Sequence, residues 1–113
     1  MEKTKEVAGK KVDKSRIISL EKGKLPPQVV ELEEAVLGAM MIDKKGNDDV
    51  IDILSPDAFY DNKHQEIYAT IFELFQNSEP IDLLTVSNLL KKNGKLEFVG
   101  GDFFLIRLTQ KVA

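Results

Sequence analysis

The sequence predicts an all-α domain, a small orthogonal bundle of about five to six helices preceded by a flexible N-terminal arm. Three observations carry that expectation. Apolar residues recur at helical spacing in several separate segments, and no stretch alternates convincingly with period two. Pro26-Pro27 divides a lysine-rich lead from everything that follows. At 113 residues there is room for one domain with a single modest core. The expected organisation is a basic arm over residues 1–25 and a helical domain over residues 26–113.

Residues 1–24 are polar, with only short apolar interruptions, of which Ile17-Ile18-Ser19-Leu20 is the one able to dock on a neighbouring surface. Pro26-Pro27 enforces extended backbone and delays any helix until after it. From about Val29, the residues Leu32, Ala35, Val36, Ala39 and Met40 follow the i, i+3, i+4, i+7, i+8 rule and predict one buried stripe, which Leu37 and Met41 widen. Gly38 weakens a helix interior by about 1 kcal/mol relative to alanine. Its expected use is the close approach of another helix. Residues 43–47 read as a turn and residues 48–54 as a short helix.

Ser55-Pro56 is an N-cap followed by proline, and it delivers Phe59-Tyr60. Asn62, with Gln65 three residues on, opens the helix with the strongest apolar pattern: Ile67, Tyr68, Ile71, Phe72, Leu74 and Phe75. Asn77-Ser78-Glu79-Pro80 stops it. Asp82 caps the next helix, whose inner face is Leu83, Val86, Leu89 and Leu90, and Asn93-Gly94 ends it. Residues 95–99 read as a connector and Gly100-Gly101 as a turn. The last segment, 102–111, sets Phe104, Leu105 and Leu108 on one side and Phe103 and Ile106 on another.

Charge and composition exclude several functions. There is no cysteine, hence no disulfide scaffold and no thiolate metal site. That absence suits a reducing cytoplasm, and no run reaches the roughly 18 apolar residues of a membrane span. Residues 1–24 hold eight Lys/Arg and four Asp/Glu, a net +4, whereas residues 25–113 hold eight against fifteen, a net −7. So acidic a domain repels a phosphate backbone. No G-x-x-x-x-G-K-[ST] loop occurs, because Gly9-Lys10 and Gly23-Lys24 lack the upstream glycine and the following Ser/Thr. The sole histidine, His64, has no cysteine, second histidine or serine arrangement to join, and reads as a packing or capping residue. No catalytic, cofactor-binding or metal-binding residue is nominated. The one candidate site is a partner face at Phe103 and Ile106, the apolar pair opposite the inner stripe, the alternative being that both are buried in a helix covered on two sides.

The order of the blocks is more specific than any one of them. Pro-Pro-Gln precedes Ala35-Val36-Leu37-Gly38-Ala39. Then come Phe59-Tyr60 with His64 and Ile67, Pro80-Ile81-Asp82-Leu83-Leu84-Thr85, and Val99-Gly100-Gly101 with Phe104-Leu105. Over residues 26–113 this series closely resembles the N-terminal domain of the bacterial replicative DNA helicase, the DnaB family. The resemblance implies a non-catalytic assembly and protein-interaction domain of a hexameric ring, pairing with itself into dimers and docking primase at the replication fork. A helicase loader is a further implied partner. It also implies that ATP and Mg belong to a motor domain outside this span, where the intact protein would unwind duplex DNA in the 5′→3′ direction. The family's helical hairpin and linker would follow Ala113. Three rival readings remain: a helical nucleic-acid-binding adaptor using the basic tail, a small helical enzyme using His64 and neighbouring acids, and the related C-terminal helicase-interacting domain of primase.

Overall fold

A computed structural model describes residues 26–43, 45 and 47–112. The expected arm over residues 1–25 lies outside the described residues. Among those described, six α-helices and one 3-10 turn occur and no strand: α1 Pro27–Ile42, α2 Asn47–Ile53, the turn Pro56–Ala58, α3 Asn62–Gln76, α4 Leu83–Lys92, α5 Leu96–Val99 and α6 Gly101–Val112. The all-α expectation is met.

Local chemistry sets most of the boundaries. Proline occupies the first position of α1, where its missing N–H costs nothing. Asn47 is buried and its amide donates to the Met40 carbonyl at 3.0 Å, satisfying an acceptor that the end of α1 leaves over. Asp82 and Thr85 form a reciprocal capping box, with Thr85 N–H donating to the Asp82 carboxylate and Asp82 N–H to the Thr85 hydroxyl, each at 2.9 Å. At the far end of α4, Gly94 takes φ +71° and Lys95 N–H reaches back to the Leu90 carbonyl at 2.8 Å.

Four expectations are corrected. The cap of α3 is Asp61, which accepts from Lys63 N–H at 2.8 Å; Gln65 donates instead to the Phe59 carbonyl at 2.6 Å. Ser55 precedes only a 3-10 turn and makes no cap bond, donating its hydroxyl to Asp57. Residues 95–99 contain a one-turn helix, too short for periodicity to reveal. The buried face of α1 is rotated by about one residue from the predicted stripe, roughly 100°. It comprises Glu33, Leu37, Gly38, Met40 and Met41, while Leu32 is 66% exposed.

The rotation has a physical cause. Helix α6 is the main neighbour of α1, and the two backbones meet at Gly38. A methyl group built there would lie 2.1 Å from the Leu108 carbonyl oxygen. Only the glycine face can take that contact, so the glycine rather than the most apolar stripe orients the helix. Beyond it, Leu37, Ile67, Ile71, Val86, Leu90, Leu105 and Leu108 close one continuous core.

Tyr68 sits at the centre of that core, its ring 5.1 Å from the Phe59 ring and its hydroxyl donating to the Leu54 carbonyl at 2.8 Å. Burial raises its pKa above the usual 10.0. The protonated phenol is thus the folded-state form, and its stabilising contribution is complete below pH 10. It is lost as pH climbs toward the higher folded-state value, because the unfolded chain ionises first. Urea titrations between pH 9 and 11 should show stability declining, and the decline should be shallower in Tyr68→Phe.

Candidate functional site

Helix α6 turns Leu105 and Leu108 inward at 0% exposure and half-buries Phe104, as the pattern predicts. The same geometry sends Phe103, 73% exposed, and Ile106, 38% exposed, outward one turn apart. Sequence reasoning missed Leu84, which α4 presents from its first turn at 68% exposure and which shares a groove with Ile106. Leu83, Leu84, Ser87 and Ile106, with Asp82 and Asp102, line an open groove of ≈ 430 Å³ between α4 and α6. Both carboxylates are already engaged in structure: Asp82 caps α4, and Asp102 accepts the Ser87 hydroxyl. The groove offers apolar surface and no paired acid and base.

A second constellation is buried. His64, at 0% exposure, donates from Nδ1 to Glu33 Oε1 at 2.7 Å, and its Nε2 lies 3.6 Å from Glu34 Oε2 with no hydrogen-bond partner among the described residues. The Glu33 carboxylate also accepts the backbone N–H groups of Tyr60 at 2.6 Å and Asp61 at 3.3 Å. Glu34 in turn pairs with Lys111 at 3.3 Å. Helix α1 therefore grips the entrance of α3 on one side and the end of α6 on the other. Phe104 lies between His64, its ring nearly parallel at 6.2 Å, and the Lys63 ammonium, 5.3 Å from its centroid.

This clamp accords with His64 as a packing residue and supplies no nucleophile. Glu33 was hidden because a carboxylate next to Leu32 reads as solvent-facing. Its spacing to Leu37, Met40 and Met41 (i, i+4, i+7, i+8) was the available signal. The described residues do not suit a nucleotide. Gly94-Lys95 is followed by leucine, and the N-termini of α4 and α6 carry Asp82 and Asp102, which repel phosphate. Among the described residues no group of three His, Asp or Glu side chains could hold a metal ion, and no helix is long and apolar enough to cross a membrane.

Residues 25–113 match the family described as DnaB-like helicase N terminal domain. The chain is 47% identical over 91 residues to the replicative DNA helicase DnaB of Rhodothermus marinus, covering 80% of this chain and 10% of that protein. It is 39% identical over 89 residues to the replicative DNA helicase DnaC of Bacillus subtilis, covering 79% and 20% respectively. The chain thus spans about a tenth to a fifth of the length of these curated relatives. The crystal structure of the N-terminal domain of DnaB helicase from Mycobacterium tuberculosis superposes with a TM-score of 0.72 at 38% identity, over 78% of this chain and 61% of that one.

Proposed function

This chain belongs to the family of DnaB-like helicase N-terminal domains, and on that premise we propose that it is the non-catalytic assembly and docking domain of a hexameric replicative helicase. It supports ring formation through self-association and presents a surface to primase and to a helicase loader in the bacterial replisome. Strand separation, ATP and Mg are assigned to the rest of the helicase. The observation that carries this reading is the exposed apolar pair Leu84 and Ile106 along a groove whose polar side chains are engaged in structure, with Phe103 exposed on the same helix as Ile106. Large side chains left in water at helical spacing on a well-packed scaffold mark a surface meant to be covered.

The experiment is multi-angle light scattering over a concentration series, with circular dichroism in parallel. Phe103→Asp with Ile106→Asp should shift the association midpoint at least tenfold toward monomer while leaving the helical signal and Tm nearly unchanged. Helicity lost together with association would make the pair core residues and sink the interface. Unchanged association would move it elsewhere.

The nucleic-acid adaptor reading has one supporting observation, the +4 lead over residues 1–24. Steeply salt-dependent DNA binding, abolished by deleting those residues, would favour it.

A further inference from the structure

The chain has five asparagines, and each carries a side-chain amide carbon that the backbone nitrogen of the next residue can attack. The fold exposes them to that reaction unequally. Asn47 is buried, with its amide donating to the Met40 carbonyl at 3.0 Å. Asn62 precedes Lys63, whose N–H is held by the Asp61 carboxylate at 2.8 Å. Asn88 lies inside α4 ahead of Leu89, where the helical ladder fixes the nitrogen. Asn77 and Asn93 stand apart from these three. Both are exposed C-caps, of α3 and α4, with φ −91°, ψ 8° and φ −88°, ψ 5°. Each precedes a residue in the left-handed region, Ser78 at φ +56° and Gly94 at φ +71°. They differ in what surrounds the attacking nitrogen. Ser78 carries a side chain beside it, whereas Gly94 carries none, and a Cβ built there would meet nothing among the described residues within 4 Å.

We propose that Asn93-Gly94 is a site of spontaneous deamidation and isomerisation in this protein. The Gly94 backbone nitrogen loses its proton to solvent base and attacks Asn93 Cγ. The new N–Cγ bond closes a five-membered succinimide, the Cγ–Nδ2 bond breaks, and the amide nitrogen takes up a proton and leaves as ammonia. Water, the only other reactant, then opens the ring. Attack at Cγ restores the main chain and leaves an aspartyl residue; attack at the backbone carbonyl carbon reroutes the chain through Cγ and leaves an isoaspartyl residue. The cap restrains the first step, because Gly94 N–H donates to the Lys91 carbonyl at 3.1 Å. That restraint is weak. Residues 91–94 are all exposed, and the last turn of a helix opens at little cost in free energy. Lys91, Lys92 and Lys95 flank the dipeptide in the chain, and their positive charge favours the deprotonated nitrogen. The product alters the fold at this point. A new carboxylate falls at the negative end of α4, and the isoaspartyl form puts an extra main-chain atom between the Leu90 carbonyl and Lys95 N–H, now bonded at 2.8 Å.

The test ages the full 113-residue chain in mildly alkaline buffer and follows each asparagine by peptide mapping. Isoaspartyl content is read separately, by methyl transfer from S-adenosylmethionine with an isoaspartyl methyltransferase. Deamidation should concentrate at position 93 and run severalfold faster there than at Asn77, the matched cap. Methyl acceptance should grow with age and be lost in Asn93→Gln, which keeps an amide but disfavours the five-membered ring. A rate at Asn93 no greater than at Asn77 would overturn the proposal. So would methyl acceptance that persists undiminished in Asn93→Gln. Neither readout involves Phe103 or Ile106, so the assembly reading stands or falls separately.

Discussion

Gly38→Ala is expected to destabilise the domain by about 2 kcal/mol, although alanine is the better helix former. The substitution gains about 1 kcal/mol of helix propensity. Against that, the new methyl would sit 2.1 Å from the Leu108 carbonyl oxygen and 2.9 Å from its carbon. Those are backbone atoms inside a helix, with no rotamer to swing aside. Relief requires α1 and α6 to separate, opening the packing of Leu37, Leu105 and Leu108. Overpacking of this kind costs typically 1–3 kcal/mol, and more where backbone must move. Thermal unfolding by circular dichroism should show Tm lower by about 10 °C, and Gly38→Val should be worse. A rise in Tm would mean that the two helices do not cross at this residue.

Glu33→Ala should be the most damaging substitution of an acidic residue, at about 3 kcal/mol. It strips the acceptor from His64 Nδ1–H and from the Tyr60 and Asp61 N–H groups at once. Each buried donor left unpaired costs about 1–3 kcal/mol, discounted where water can enter the space left behind. Glu33→Gln keeps one acceptor oxygen and should cost roughly half as much. Leu32→Ala, one residue away and 66% exposed, should change stability by no more than about 0.5 kcal/mol. Urea unfolding of the three variants measures the contrast. Equal losses for Leu32→Ala and Glu33→Ala would mean that the clamp contributes little.

That adjacent pair shows where sequence reasoning succeeds and where it stops. The Asp82 cap, the Asn93-Gly94 stop and the division of α6 into an inner and an outer side were all legible. Each is decided within about a turn, by a side chain reaching its own backbone or by the 3.6-residue period. The face of α1 was not. Leu32, Ala35, Val36, Leu37, Ala39, Met40 and Met41 surround the helix with apolar groups, so the pattern has little direction. The groove-lining role of Leu84 was likewise hidden, since a leucine next to Leu83 is as easily core as surface. Its exposure depends on where α6 lies against α4.

By itself the sequence determined an all-α domain, the cap at Asp82 and the stop at Asn93-Gly94, the placing of Phe103 and Ile106 on a different side of their helix from Leu105 and Leu108, and the family resemblance. These follow from local propensities and from the order of short blocks. Only the tertiary structure decided which side of α1 is buried, because that choice rests on contacts from Gly38 to Leu108 and from Glu33 to His64. Those partners are 70 and 31 residues apart in the chain. Helical periodicity says what a helix can bury. It cannot say which neighbour arrives, or whether a glycine and a carboxylate will be what receives it.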